Sequence, residues 1–131
     1  MYIHTNSPGR RRGQLAWVAA LGCLLAGCSK LNVPAQPDLA RQSLEATLAS
    51  WKSGEEPAAL AKRSPPITVA DHVWKAGHKL TDYRFLGDAA NDGVNLHYTV
   101  ELALADPRGT SVAERVTYIV GTDPAITIFR E

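Results

Sequence analysis

Cys23, Cys28, His72, His78 and His97, with Asp71, Asp82, Glu101 and the tyrosines, are the side chains of this 131-residue chain that could do nucleophilic, metal or proton-transfer chemistry. Their spacing does little with them. Asp71-His72 and His78 are separated by a helical-looking turn and Gly77, which is not the His-x-x-x-His spacing that puts two imidazoles on one helical face. No metal site is expected, and no cofactor. His97 alternates with Asn95, Thr99 and Glu101 on polar positions, where a neutral, solvated imidazole is the ordinary outcome. No Gly-x-Ser-x-Gly elbow, phosphate-cradling glycine loop or dinucleotide fingerprint occurs. Both cysteines lie within the first 28 residues. Beyond Cys28 there is therefore no disulfide, no thiol nucleophile and no cysteine-ligated zinc.

Cys28 itself closes the one long apolar run. Met1 to Gln14 is polar and carries Arg10, Arg11 and Arg12; Leu15 to Leu25 is apolar; Ala26 and Gly27 precede the cysteine. A basic segment, a short apolar segment and small residues at a cut site are the layout of a secretory signal peptide. The run is too short for a membrane span, which needs about 20 residues. Leu25-Ala26-Gly27-Cys28 resembles the bacterial lipobox, and that resemblance implies alkylation of Cys28 by diacylglycerol, cleavage before it, and a mature chain that starts at the lipidated residue. Ala20-Leu21-Gly22-Cys23 is a poorer box that would truncate the apolar segment. The plain alternative is a small buried signal-peptide residue with no role. Two or more acyl chains, each burying methylenes at ~0.8 kcal/mol apiece, hold a protein stably on a bilayer. The expected partner is thus a membrane, reached through lipid on Cys28. Ser29 after the cysteine favours, by resemblance to the enterobacterial sorting rule, the outer membrane with the domain facing the periplasm.

The charge balance agrees with a protein working away from nucleic acid. The chain is 45% hydrophobic and 21% charged, an ordinary globular composition. From Cys28 onward 11 Lys+Arg face 13 Asp+Glu, a net of −2 without a basic cluster. That leaves no electrostatic footprint for a nucleic-acid partner.

The elements that would position the candidate residues follow from periodicity. Residues 1–27 are expected to be the signal peptide, 28–36 a lipidated tether and 37–131 one α+β domain. Pro37-Asp38 opens a helix with Pro in the first turn and Asp against the dipole. Ala40, Leu44, Leu48 and Trp51 form one apolar stripe on it, with Thr47 beside the stripe, and Lys52 and Gly54 stop it. Glu55-Glu56-Pro57 opens a short second helix through Leu60. Ile67-Thr68-Val69 reads as a brief extended piece, and Asp71 as the cap of a one-turn helix from His72 to Ala76. Trp51-Lys52-Ser53-Gly54 and Trp74-Lys75-Ala76-Gly77 look alike because each is a buried Trp in a final turn ended by Gly, not because the chain repeats.

From Lys79 the period becomes two. Leu80 to Leu86 is a first strand, and Asn91-Asp92-Gly93 a turn. Val94, Leu96, Tyr98, Val100, Leu102 and Leu104 then alternate with Asn95, His97, Thr99, Glu101 and Ala103, as in an antiparallel sheet with one face buried. Asp106-Pro107-Arg108-Gly109-Thr110 is a three-residue hairpin loop. Pairing Asp106 with Thr110 sets Leu104 opposite Val112, Val100 opposite Val116 and Tyr98 opposite Tyr118. On the other face it sets Glu101 opposite Arg115 and Thr99 opposite Thr117, favourable pairs that a one-residue slip would break. Glu114 alone lands on the apolar face, opposite Leu102. Ile126 to Phe129 is the last strand.

The sum is an α+β fold: an N-terminal helix and short helices packed on a four-stranded antiparallel meander. This order resembles the cystatin-like and nuclear-transport-factor-two-like folds, which implies a curved sheet wrapped around a long helix. Trp51-Lys52, Ser64-Pro65-Pro66-Ile67, Trp74 with Gly77, and Val120-Gly121-Thr122 through Phe129-Arg130-Glu131 further resemble small envelope proteins of planctomycete-type bacteria, a likeness that implies no activity. Two kinds of function are compatible with this layout. One is a non-enzymatic binding or assembly module whose outer sheet face, with His97, Thr99, Glu101, Arg115 and Thr117, docks a protein partner or a second copy. The other is a small-molecule or enzymatic pocket between helix and sheet, lined by Trp74, Tyr98, Glu114 and Tyr118, with Glu114 as its one candidate acid.

Overall fold

The computed structural model describes residues 33–131; Cys28 and the expected signal peptide lie outside them. Helix α1 spans Pro37–Lys52, with Pro at its first turn, Asp38 against the N-terminal dipole and Lys52 in the last turn. Its stripe of Ala40, Leu44, Leu48 and Trp51 is fully buried. Thr47 is buried with it, because its hydroxyl donates to the Ser43 carbonyl at 2.7 Å and so carries no unpaired polar group into the core. Gly54, at φ +91°, ends the helix in the left-handed region that glycine adopts without strain. A 3-10 helix follows over Pro57–Lys62, and a four-residue helix α2 over His72–Lys75. Asp71 caps α2: its Oδ1 accepts from the N–H groups of Val73 at 2.9 Å and Trp74 at 3.1 Å.

The strands are β1 (Ile67–Ala70), β2 (Lys79–Asn91), β3 (Leu96–Ala105), β4 (Ser111–Gly121) and β5 (Ile126–Arg130). They form one sheet in the order β1-β5-β4-β3-β2. The meander from β2 to β5 is antiparallel, but the sheet has five strands rather than four and is mixed. The extra strand is Ile67–Ala70, which pairs in parallel with β5 from Ile67↔Ile126 to Ala70↔Phe129. Four residues are too few for their period to show in sequence, yet they satisfy the open edge of β5 and add Ile67 to its buried Ile126 and Ile128. Strand β2 is also longer than its apolar segment, since register shifts between Leu80 and Asp82 and between Leu86 and Ala90 carry the pairing on to Asn91↔Leu96.

The β3/β4 register is the one the hairpin loop dictates. Leu104 faces Val112, Leu102 faces Glu114, Glu101 faces Arg115, Thr99 faces Thr117 and Tyr98 faces Tyr118. Asp106 builds the loop by receiving the N–H groups of Arg108 at 2.9 Å and Thr110 at 2.8 Å on Oδ1, while Gly109 takes φ +87°. Leu96, Tyr98, Val100, Leu102 and Leu104 are all buried on the inner face, under α1.

The last residues of the expected tether are part of this domain. Ala35 is buried and its N–H donates to the Val94 carbonyl at 2.8 Å, and the Gln36 N–H donates to the Thr122 hydroxyl at 2.9 Å. Ala35 and Gln36, expected in the tether, are thus held to the domain.

Core and loop contribute unequally to stability. Leu48→Ala, which empties a fully buried site, is expected to lower the unfolding free energy by about 2–5 kcal/mol. Asp106→Ala, which deletes two exposed turn bonds, is expected to lower it by about 1 kcal/mol. Denaturant titration followed by circular dichroism measures both, and the reverse order would refute this account.

Candidate functional site

The charged residue that sequence reasoning missed organises the inner face. Ile126, Ile128 and Arg130 stand two apart on β5, and the same alternation that buries the isoleucines turns the Arg130 side chain inward. That side chain is 2% exposed. Its Nη2 lies 2.5 Å from Glu114 Oε1, and its Nη1 lies 3.6 Å from Asp71 Oδ2, whose side chain is 1% exposed. The Tyr118 hydroxyl donates to the same Asp71 oxygen at 2.6 Å. Asp71 thus closes α2 with one oxygen and binds β4 and β5 with the other. Burial, with the Asp71 charge beside it, pushes the Tyr118 hydroxyl far above its ordinary range. Burial alone would make Arg130 easier to deprotonate, but Glu114 and Asp71 outweigh it and hold the guanidinium charged.

This network accounts for Glu114. Its side chain is 43% exposed and neutralised by Arg130, so it is not an acid enclosed among aromatics. The inner face of the sheet carries two charged side chains, Glu114 and Arg130, instead of Glu114 alone, and they pair because each makes the other's position tolerable.

The four residues of the expected pocket do not line one cavity, although Tyr98 and Tyr118 are register partners. Trp74 stacks on Trp51 with ring centroids 5.3 Å apart and an interplanar angle of 12°. Both indole N–H groups are satisfied by backbone, Trp51 by the His78 carbonyl at 2.7 Å and Trp74 by the Glu55 carbonyl at 3.0 Å. Tyr98 instead meets Phe85 edge-on at 6.0 Å, with its hydroxyl 3.4 Å from the Pro37 carbonyl at the start of α1. Tyr118 is committed to Asp71. Of the four, Trp74 alone lines the large groove of the domain, a cleft of about 1440 Å³ between the end of α1, the 3-10 helix, β1 and the start of β2. Asp71, His78, Thr81 and Arg130 also line it. Two buried polar atoms of these residues, His78 Nδ1 and Arg130 Nη1, have no hydrogen-bond partner among the described residues.

The one side-chain hydrogen bond of a histidine among the described residues joins His97 to Asp92, outside the groove, so no hydroxyl there is activated by an imidazole. Glu55 is held below the ordinary carboxylate range by the Ser50 hydroxyl, with help from Arg63. No group of His, Cys, Asp or Glu among the described residues is disposed to hold a metal ion.

The outer face does bring its candidates together. His97, Thr99 and Glu101 on β3 and Arg115 and Thr117 on β4 share one surface by register. Two of the pairings differ from expectation. Glu101 stands between Arg84 of β2 and Arg115 of β4, directly opposite both as the register requires, and its ion pair is with Arg84 at 3.1 Å. His97 Nε2 lies 2.8 Å from Asp92 Oδ2. Asp92 is pulled down to about 2 by the Asn95 backbone N–H first and then by His97.

Two sets of measurements follow. Arg130→Met leaves Asp71 buried without its countercharge and is expected to cost about 3–5 kcal/mol, whereas Glu114→Gln, half in water, should cost about 0–1 kcal/mol. The pH profile of stability should fall at both ends. A folded Tyr118 keeps its proton above the pH of about 10 where an unfolded tyrosine loses it, so stability is full below that pH and declines above it. Tyr118→Phe should remove most of that alkaline slope, the rest coming from Tyr98, whose hydroxyl is also raised by burial. Asp92, held at about 2 in the folded domain, stabilises above an unfolded carboxylate's pKa of about 4 and ceases to as pH falls toward 2. Asp92→Asn should flatten that acid limb in urea titrations. No protein-family model, curated protein or solved structure matches this chain.

Proposed function

We propose that this chain is a bacterial envelope lipoprotein, fastened to the outer membrane through an acylated Cys28, whose α+β domain works as a non-enzymatic binding or assembly module on the periplasmic side. The proposal extends to a fold of the cystatin-like or nuclear-transport-factor-two-like kind, with the sheet wrapped around α1. No helix of the described residues is long and apolar enough to cross a membrane, and the short apolar segment ahead of Cys28 ends in a lipobox-like sequence. A lipid anchor is the device that fits both.

The observation that carries the binding role is the outer face of the sheet. Glu101 pairs with Arg84 and His97 with Asp92 within the domain, which leaves Arg115 as the cation of this face, and around them lie Thr99, Thr117, Ile119 and an exposed Phe129. A broad, nearly neutral face is suited to contact with a protein partner or a second copy. It offers little to a polyanion. One observation favours the other reading: the groove beside Trp74 is large enough for a small molecule, and two residues lining it hold unpartnered buried polar atoms.

Mass spectrometry of the membrane-extracted protein should find a chain that starts at Cys28 and bears two or three acyl chains; an unacylated chain that begins at Met1 would overturn the anchoring. Cross-linking in intact envelopes separates the two sites. Thr99→Arg with Thr117→Arg should abolish a specific cross-linked species while circular dichroism stays unchanged, and Thr81→Trp, which fills the groove, should leave it in place. The opposite pattern would move the function to the groove.

A further inference from the structure

The domain has two unlike ends. At one lie the start of α1, the 92–95 turn and the 121–125 turn; Ala35 and Gln36 are bonded to Val94 and Thr122 there. At the other lie the end of α1, the 106–110 hairpin, α2 and the groove: Lys79 pairs with Ala105, and Pro107 packs near Gly77. Helix α1, with 16 residues, separates these ends by about 24 Å. From Cys28 to Ala35 the chain reaches at most about 24 Å even when fully extended. The first end is therefore tied close to whatever holds Cys28.

That end also has a distinctive surface. Val33 is 47% exposed and Val94 37% exposed, two of the four large apolar side chains that stand out among the described residues. Residues 33–38, 91–95 and 121–125 contain Asp38, Asp92 and Asp123 but no Lys or Arg. Apolar side chains beside carboxylates suit a bilayer whose headgroups carry an accessible ammonium, and they are repelled by an anionic one.

Resting on the acylation of Cys28 proposed above, we propose that the end bearing Val33, Val94 and Asp123 is a lipid-facing surface. It lies against a zwitterionic, ethanolamine-rich bilayer, so that the groove and the 106–110 hairpin point away from the membrane. The acyl chains hold the protein there, and the two valines choose which end faces the lipid. The groove is thereby presented to the aqueous side.

The test uses the acylated protein on vesicles of phosphatidylethanolamine and phosphatidylcholine. Cys28 is blocked by its lipid, so Val94→Cys and Arg108→Cys each provide one thiol for an environment-sensitive dye. The dye at position 94 should be quenched severalfold more by lipid-borne quencher than the dye at position 108. Equal quenching with the protein still floating on vesicles overturns this proposal alone; failure to float overturns the anchoring and this proposal with it. Hydrogen exchange on the unlabelled protein guards against a perturbing label: amides 91–95 should slow on vesicles, and Val33→Asp with Val94→Asp should restore their rate without loss of flotation. Replacing half the lipid by phosphatidylglycerol should at least halve the quenching at position 94, with recovery in high salt. An unchanged signal overturns the assignment to a zwitterionic surface.

Discussion

The register of β3 against β4 is the constraint from which the remaining structure descends. Asp106 donates its N–H to the Thr110 carbonyl at 2.9 Å and receives two loop N–H groups on its side chain, and this closes the hairpin in one alignment. Because side chains alternate with a period of two, the alignment decides for ten consecutive pairs which partner faces α1 and which faces outward. Tyr118 and Glu114 are inward for the same reason that Val116 and Val120 are. The continuation into β5 then fixes Arg130 on the same side, through Tyr118↔Arg130.

An arginine turned into a core has to be answered. Here the answer comes from three residues: Glu114, four positions along β4 from Arg130's partner Tyr118; Asp71, just past β1; and Tyr118 itself, which is bonded to Asp71. Asp71 was already required as the cap of α2, so one carboxylate serves both the helix and the sheet. A structural polar network of this kind specifies how elements dock more than it adds to stability, since replacing charges with apolar side chains of matching shape often stabilises. It also decides the role of Asp71 in the groove. Its buried carboxylate is occupied by the fold.

Much of this was legible beforehand, and the rest was hidden for physical reasons. The bounds of α1, the cap at Asp71, the hairpin loop and every β3/β4 pair follow from local spacing, because each is enforced by contacts within a few residues or across one tight turn. The parallel β1/β5 pairing joins residues some sixty positions apart, and four residues carry no periodic signal for it. The hairpin places Glu101 opposite Arg115 as spacing predicts, but the ion pair goes to Arg84 of β2, a strand whose register that hairpin does not set. Arg130 was readable from the spacing Ile126, Ile128, Arg130, but a charged residue at the end of a strand is ordinarily assigned to water. The expected pocket did not form because Tyr98 and Tyr118, though paired across β3 and β4, send their hydroxyls to different groups, and Trp74 stands on α2, where it stacks on Trp51.

The stacked indoles have a use beyond packing. Trp51 and Trp74 are the tryptophans of residues 33–131, and they sit nearly parallel at 5.3 Å, one from the last turn of α1 and the other from α2. Chromophores in that arrangement couple their electronic transitions, so the near-ultraviolet dichroism and emission of the domain report on one contact. The signal changes when the long helix separates from the short one, whatever else remains folded, and the protein thereby carries its own optical gauge of that joint.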